Sequence, residues 1–240
     1  MFQRFDLRKK LLWGLLSCAW LVAIMLASTH QQPITFAGGS KEKTLQAAKQ
    51  PAEEIGERVY IWENEDKPGN FSPAGWMPKG EGITQNTSET DTPHSKPHCI
   101  RIRCQLSAHP WVGIYFLLEG EWEPAQPFNL FQQLSAKQGD TIKCRFWARS
   151  KDLTWIQCKV GGVTKGKVQD SLTFPVSSPW VKLGPEWKMY EIDLTKDNTG
   201  KNRDLSSLVG AFMWVCDRAH NGAKDVSFDL DDIYFVKVKQ

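Results

Sequence analysis

Thr141-Ile142-Lys143-Cys144-Arg145-Phe146-Trp147-Ala148-Arg149, followed after a short break by Trp155-Ile156-Gln157-Cys158-Lys159-Val160, is the stretch that decides the class of fold. Alternation sends Ile142, Cys144, Phe146 and Ala148 to one side of an extended strand, and Lys143, Arg145, Trp147 and Arg149 to the other. The second run repeats the pattern, with Ile156 and Val160 on the apolar side. A turn centred on Lys151 makes the two runs a hairpin, in which Trp147 faces Trp155 and Cys144 faces Cys158. One face then reads as core. The other carries two neighbouring Trp framed by Arg145, Arg149, Gln157 and Lys159. Cys144 and Cys158 are either a cross-strand disulfide or two buried thiols.

The same texture extends outward. From Arg58 on, short apolar–polar alternations are separated by Gly, Pro, Asn and Asp, which predicts strands near 58–63, 98–106, 111–118, 141–149, 153–160, 187–194, 211–216 and 226–238. Within 99–106, Ile100, Ile102, Cys104 and Leu106 share the inner parity; within 111–118, Val112, Ile114 and Phe116 do, leaving Trp111, Gly113 and Tyr115 outside. Segment 64–97, with Pro68, Pro73, Pro78, Pro93 and Pro97, reads as a long irregular excursion. No sustained 3.6-residue period follows residue 57. The expectation is an all-β, two-sheet antiparallel sandwich over 57–240.

Before it lie two other textures. Residues 1–10 are basic, and Leu11 to Ala27 form a 17-residue apolar run, the layout of an export signal. Thr35-Phe36-Ala37 offers a cleavage site after Ala37, and the alternative is an uncleaved anchor helix near the lower length limit for spanning a bilayer. Residues 1–37 are therefore expected to be a signal peptide or signal anchor, and 38–56 a flexible linker. Leu16 is too bulky for a lipoprotein box at Cys18. The net charge of +3 also belongs to this terminus: removing its four basic residues and one acid from the totals of 30 and 27 leaves 26 of each. A neutral body excludes a phosphate-binding surface, and with it nucleic acid. Membrane contact is expected only through an uncleaved amino terminus.

Chemistry is sparse. Cys99, Cys104, Cys144, Cys158 and Cys216 contain no CxxC pair, so zinc is unsupported, and the odd count leaves a free thiol. His94 and His98, in a Pro-rich loop, read as solvated. Glu191 and Asp193 half-match the Glu-x-Asp-x-Glu strand of retaining glucanases, but Thr195 stands where the second essential carboxylate belongs. Asp229-Leu230-Asp231-Asp232-Ile233 changes parity between Leu230 and Ile233, so a bulge at Asp231-Asp232 is needed to keep Phe228, Leu230, Ile233 and Phe235 all inside. A double Asp there suits either a hard cation such as calcium or a solvated edge. A sheet face bearing Trp, Tyr, Arg and Gln suits a sugar, because aromatic planes stack on pyranose C–H groups and planar polar groups bond hydroxyls. Trp147 and Trp155 are the expected platform, Arg149, Arg145 and Gln157 the hydroxyl partners, and Trp111 and Tyr115 an extension of the groove.

Phe71-Ser72-Pro73-Ala74-Gly75-Trp76-Met77, Phe146-Trp147-Ala148-Arg149, Val160-Gly161-Gly162, the run Asp204 to Phe212, and Phe228-Asp229-Leu230-Asp231-Asp232-Ile233-Tyr234-Phe235 together resemble the galactose-binding-like β-jelly-roll superfamily, and within it bacterial carbohydrate-binding modules. The resemblance implies a jelly roll that binds a polysaccharide or glycan on a concave sheet or its loops. It also implies a structural calcium, carried over to Asp231 or Asp232 with Glu63 as a weaker candidate ligand, and no catalytic cofactor. The expected protein is an exported, non-catalytic glycan binder, secreted, periplasmic or at the cell surface. Two rivals stand beside it: a membrane-associated assembly scaffold that binds a protein partner through the same face, and a glycoside hydrolase using Glu191 and Asp193.

Overall fold

The computed structural model describes residues 51–64, 67–78 and 80–239. The expected signal or anchor (1–37) and most of the linker lie outside these residues. Among the described residues, no helix is long and apolar enough to cross a membrane.

Alternation builds two antiparallel sheets. The first holds β11 (Lys188–Asp193), β7 (Ile142–Arg149), β13 (Val226–Val238), β1 (Glu54–Asn64) and β2 (Lys67–Pro68) in that order, with β5 (Cys99–Cys104) also on β13 and β4 (Ile83–Glu89) on β5. The second runs β10 (Val181–Lys182), β8 (Trp155–Val160), β12 (Gly210–Asp217), β6 (Trp111–Leu118), β3 (Phe71–Met77), with β9 (Val176–Ser177) on β8. Two single-turn helices, α1 (Leu130–Gln133) and α2 (Arg218–Asn221), sit in connections. The core lies between the sheets: Ile142, Cys144, Phe146 and Ala148 pack in one cluster with Ile114, Phe116, Ile156, Cys158, Phe212 and Trp214. The sandwich is the one expected. The excursion at 64–97 is not wholly irregular, since it contributes β3 and β4, and β1 starts at Glu54, inside the expected linker.

The predicted hairpin does not form. Both edges of β7 are occupied, by β11 and β13, and β8 pairs instead with β12, β9 and β10 in the other sheet. The connection between them is pinned in place. Ser150 and Thr154 hydroxyls both donate to the Ser227 carbonyl (2.6 and 2.9 Å), and Asp152 accepts from the Ser227 N–H and hydroxyl, each at 2.7 Å. The chain thus arches from one sheet to the other. Cys144 and Cys158 end as two buried free thiols on opposing sheets rather than a cross-strand disulfide.

The expected bulge in β13 is present. Its pairing with β7 shifts between Asp231 and Tyr234, and Asp232 has φ 45°. Here β13 also exchanges its second neighbour: Val226–Leu230 pair with β5, and Ile233–Val238 with β1. Phe228, Leu230, Ile233 and Phe235 all reach the core.

Candidate functional site

Each sheet has an outer face, and the two differ in kind. On the first sheet, charged side chains are consumed by one another. Arg145, 1% exposed, donates to Glu54 (2.8 Å), Glu191 (3.2 and 3.3 Å) and the Ala52 carbonyl (3.0 Å). Burial opposes ionisation of Glu54, but bonds from Arg58, Arg145 and Tyr234 outweigh it and hold its pKa below the usual range. Arg149 donates to Asp229 (2.9 Å), Thr92 (2.7 Å) and the Asp91 carbonyl (2.8 Å), and its guanidinium lies 4.7 Å above the Trp187 ring. Lys143 pairs with Glu191 and Asp193. Despite burial, bonds from Lys143 and Thr195 lower the Asp193 pKa, the opposite of what a general acid needs.

Loop 91–97 roofs this face. The His94 ring stacks on Trp147, centroids 3.7 Å apart at 18°, and its Nδ1 lies 2.8 Å from Asp232 Oδ2. Trp187 donates to the Thr92 carbonyl at 2.9 Å. His94 is an exposed loop residue, as expected, that is also a structural contact, and it covers the Trp147 ring expected to stack on a sugar. Arg145 and Arg149, expected as hydroxyl partners, have their donors engaged within the protein.

His94, Asp231 and Asp232 bring one nitrogen and two carboxylates within 4.8 Å of one another. Calcium takes six to eight oxygens, and this set falls short. Asp231 accepts from the backbone N–H of Ser95 and of Asp232, both at 2.9 Å, while Asp232 Oδ2 meets His94 and the Ser95 hydroxyl. Glu63 lies along the same depression without joining the cluster. The donor set fits a hydrogen-bonded clasp that closes loop 91–97 over the bulge better than it fits calcium. Burial, with the Asp232 charge adding to it, pushes the Asp231 carboxyl up to about 7.

The outer face of the second sheet is different. Register sets Trp111 opposite Asp217, Tyr115 opposite Met213, Met213 opposite Lys159, Val215 opposite Gln157, and Trp155 opposite Lys182. Outward parity therefore gathers Trp111, Tyr115, Trp155 and Gln157, four of the seven expected ligand contacts, on one face. Trp147, Arg145 and Arg149 lie on the other.

The loops add aromatic walls here. Trp180 stacks on His220 (3.9 Å, 20°), and His220 lies 6.2 Å from Trp155 and bonds Asp217 at 2.8 Å. Trp122 meets Tyr115 edge-on at 5.7 Å and presses on Gly75, where an added Cβ would lie 2.9 Å from the Trp122 ring. Met77, Tyr115, Trp122, Val163 and Lys165 line a cavity of about 520 Å³. One wall is held by Asp170, a buried carboxylate that accepts from the N–H groups of Val163 (2.6 Å), Val209 (2.5 Å) and Gly210 (3.2 Å). Trp111 and Trp122 are 39% and 41% exposed, values that leave most of a ring edge open to a ligand. Trp122, Trp180 and His220 escape a reading of strand parity because they stand in connections, where alternation has no phase to place them.

Similar solved structures include the family 30 carbohydrate-binding module of a cellulosomal cellulase of Clostridium thermocellum, with 14% identity and a TM-score of 0.48 over 77% of this chain and 99% of that one. The family 11 module of another cellulosomal cellulase of Clostridium thermocellum is similar at 13% identity, TM-score 0.43, over 77% of this chain and 96% of that one. An agarase is similar at 13% identity and TM-score 0.47 over 79% of this chain. This chain spans only 25% of the agarase's length. No protein-family model matches the chain, and no curated protein does.

Proposed function

We propose that this is an exported, non-catalytic protein that binds a polysaccharide on the outer face of its second sheet. One observation carries the reading: Trp111, Trp122, Trp155 and Trp180 stand partly open on that side of the sandwich, with Gln157 among them and Tyr115 buried beneath Trp122. Buried tryptophans serve a core. Partly open ones in a row on an outer face offer flat apolar surfaces to the C–H faces of successive sugars. Export rests on the charge and apolar layout of residues 1–37.

Retention of the full chain on a panel of polysaccharides tests this, with Trp155→Ala as the control for the face. Retention of at least one polymer, lost in the variant, supports the reading; retention of none contradicts it. A second reading, a scaffold that docks a protein partner, draws on Phe174, which stands 86% exposed. It predicts that Phe174→Ala weakens partner capture without changing polysaccharide retention.

A further inference from the structure

The cations of the two outer faces differ in one respect that bears on the ligand. On the first sheet Arg101, Arg145, Arg149 and Lys143 all meet carboxylates, and the exposed Arg103 has none among the described residues. On the second face Lys159, Lys165 and Lys182 have no ion-pair partner among the described residues. They are also interleaved with the aromatic surface. Lys159 pairs across to Met213, the neighbour of Tyr115; Lys182 pairs with Trp155; Lys165 lines the cavity beneath Trp122. The acids nearby are few. Asp217 is bonded to His220, Asp170 is engaged by backbone N–H groups, and Glu123 lies against Gly166.

Lys165 and Lys182 are exposed and Lys159 is half-buried; covering Lys159 with a neutral ligand removes water from its charge and returns nothing, unless the side chain can reach around the ligand to solvent. Lys159 is the most constrained of the three, since it stands mid-sheet between β12 and β9. Tyr115 and Met213 are buried beneath the connecting loops, but Trp155, Gln157 and Lys159 alternate half-buried along the outer side of β8, so a polymer laid along that strand meets Lys159. We propose, on the footing that this face holds a polysaccharide, that the polysaccharide is anionic and places its carboxylate or sulfate groups on Lys159, Lys165 and Lys182.

Affinity electrophoresis of the full chain tests this with polygalacturonate for carboxylate, a carrageenan for sulfate, and mixed-linkage β-glucan and xylan as neutral polymers, at low and at high sodium chloride. The expected result is retention by one anionic polymer roughly tenfold stronger than by either neutral one, weakened by salt. The triple variant Lys159→Gln, Lys165→Gln, Lys182→Gln erases that preference, and Trp155→Ala weakens retention by the same polymer. Neutral polymers retained equally well and independently of salt overturn the charge assignment while leaving polysaccharide binding intact. Equal retention by polyglutamate, a polyanion without sugars, overturns it as well. Retention by no polymer at all is the distinct failure that removes the binding reading itself.

Discussion

Trp147 and Trp155, eight positions apart in the chain, stand on opposite outer faces of the sandwich, with both sheets and the core between them. Sheets pack about 10 Å apart, so the two rings share no partner. Their substitutions to Ala are expected to add in stability within about 0.5 kcal/mol. Urea denaturation of the two single variants and the double checks this; a coupling well above that value would mean the rings are neighbours.

Arg145 is a structural cation. Removing it leaves Glu54 and Glu191 without their shared partner beneath the start of β1. Arg145→Ala is expected to destabilise the fold by about 3–5 kcal/mol. Arg145→Met, which keeps the volume, is expected to lose less than Arg145→Ala. Polysaccharide retention by whatever fraction remains folded stays unchanged, and a loss of retention at unchanged stability would return Arg145 to the ligand site.

The sandwich and its inner face were legible because parity is a local property. Ile142, Cys144 and Phe146, or Val112, Ile114 and Phe116, announce which side is buried without reference to any partner. The bulge at Asp231-Asp232 was legible for the same reason: four large apolar residues cannot all face inward without it. Which strand pairs with which is not local. The stretch 141–160 alternates as a hairpin would, yet both edges of β7 are taken by strands from far away in sequence, and only the pins on Ser227 reveal an arch. Trp147 and Trp155 faced each other only through that hairpin, and Arg145 and Arg149 meet carboxylates brought to them by distant strands. Trp111, Tyr115 and Gln157 share one side of the second sheet because their outward parity did not depend on the hairpin.

The Asp231 clasp predicts a pH dependence. Its carboxyl, raised to about 7 in the folded chain from an ordinary value of 3.8, binds a proton that the unfolded chain has already released between those values. Stability from this group is therefore fully present below pH 4 and falls as pH rises through 7, by at most roughly 4 kcal/mol, about 1.4 per unit. Denaturation midpoints at pH 5 and pH 8 should drop more in the native chain than in Asp231→Asn. Millimolar calcium is expected to leave the pH 8 midpoint unmoved; a clear rise would place the ion at Asp231 and Asp232 after all.

Gly75 is predicted to set the position of Trp122. A side chain there meets Tyr115 Cβ at 2.7 Å and the Trp122 ring at 2.9 Å. Gly75→Val should swing Trp122 away from Tyr115, red-shift its fluorescence and weaken polysaccharide retention several-fold, with a modest loss of stability. An unchanged spectrum would show that the ring is not seated there.

All five cysteines of the described domain are buried and free. Burial, with nearby Asp229 and Asp231 adding to it, pushes Cys99 up to about 12, and burial also raises Cys104, Cys144 and Cys158. Under reducing preparation, native protein is expected to resist iodoacetamide at pH 8 and to alkylate fully once unfolded. Rapid labelling of the native chain would place a thiol at the surface.

The central claim is that the binding face belongs to the second sheet. Two double variants separate the faces, Trp111→Ala with Trp155→Ala on the second sheet, and Trp147→Ala with Trp187→Ala on the first. Measured by affinity electrophoresis on the polymer that retains the native chain best, the second-sheet variant is predicted to lose retention while staying folded, and the first-sheet variant to keep it. Loss of retention in the folded first-sheet variant, with retention intact in the second, would contradict the account.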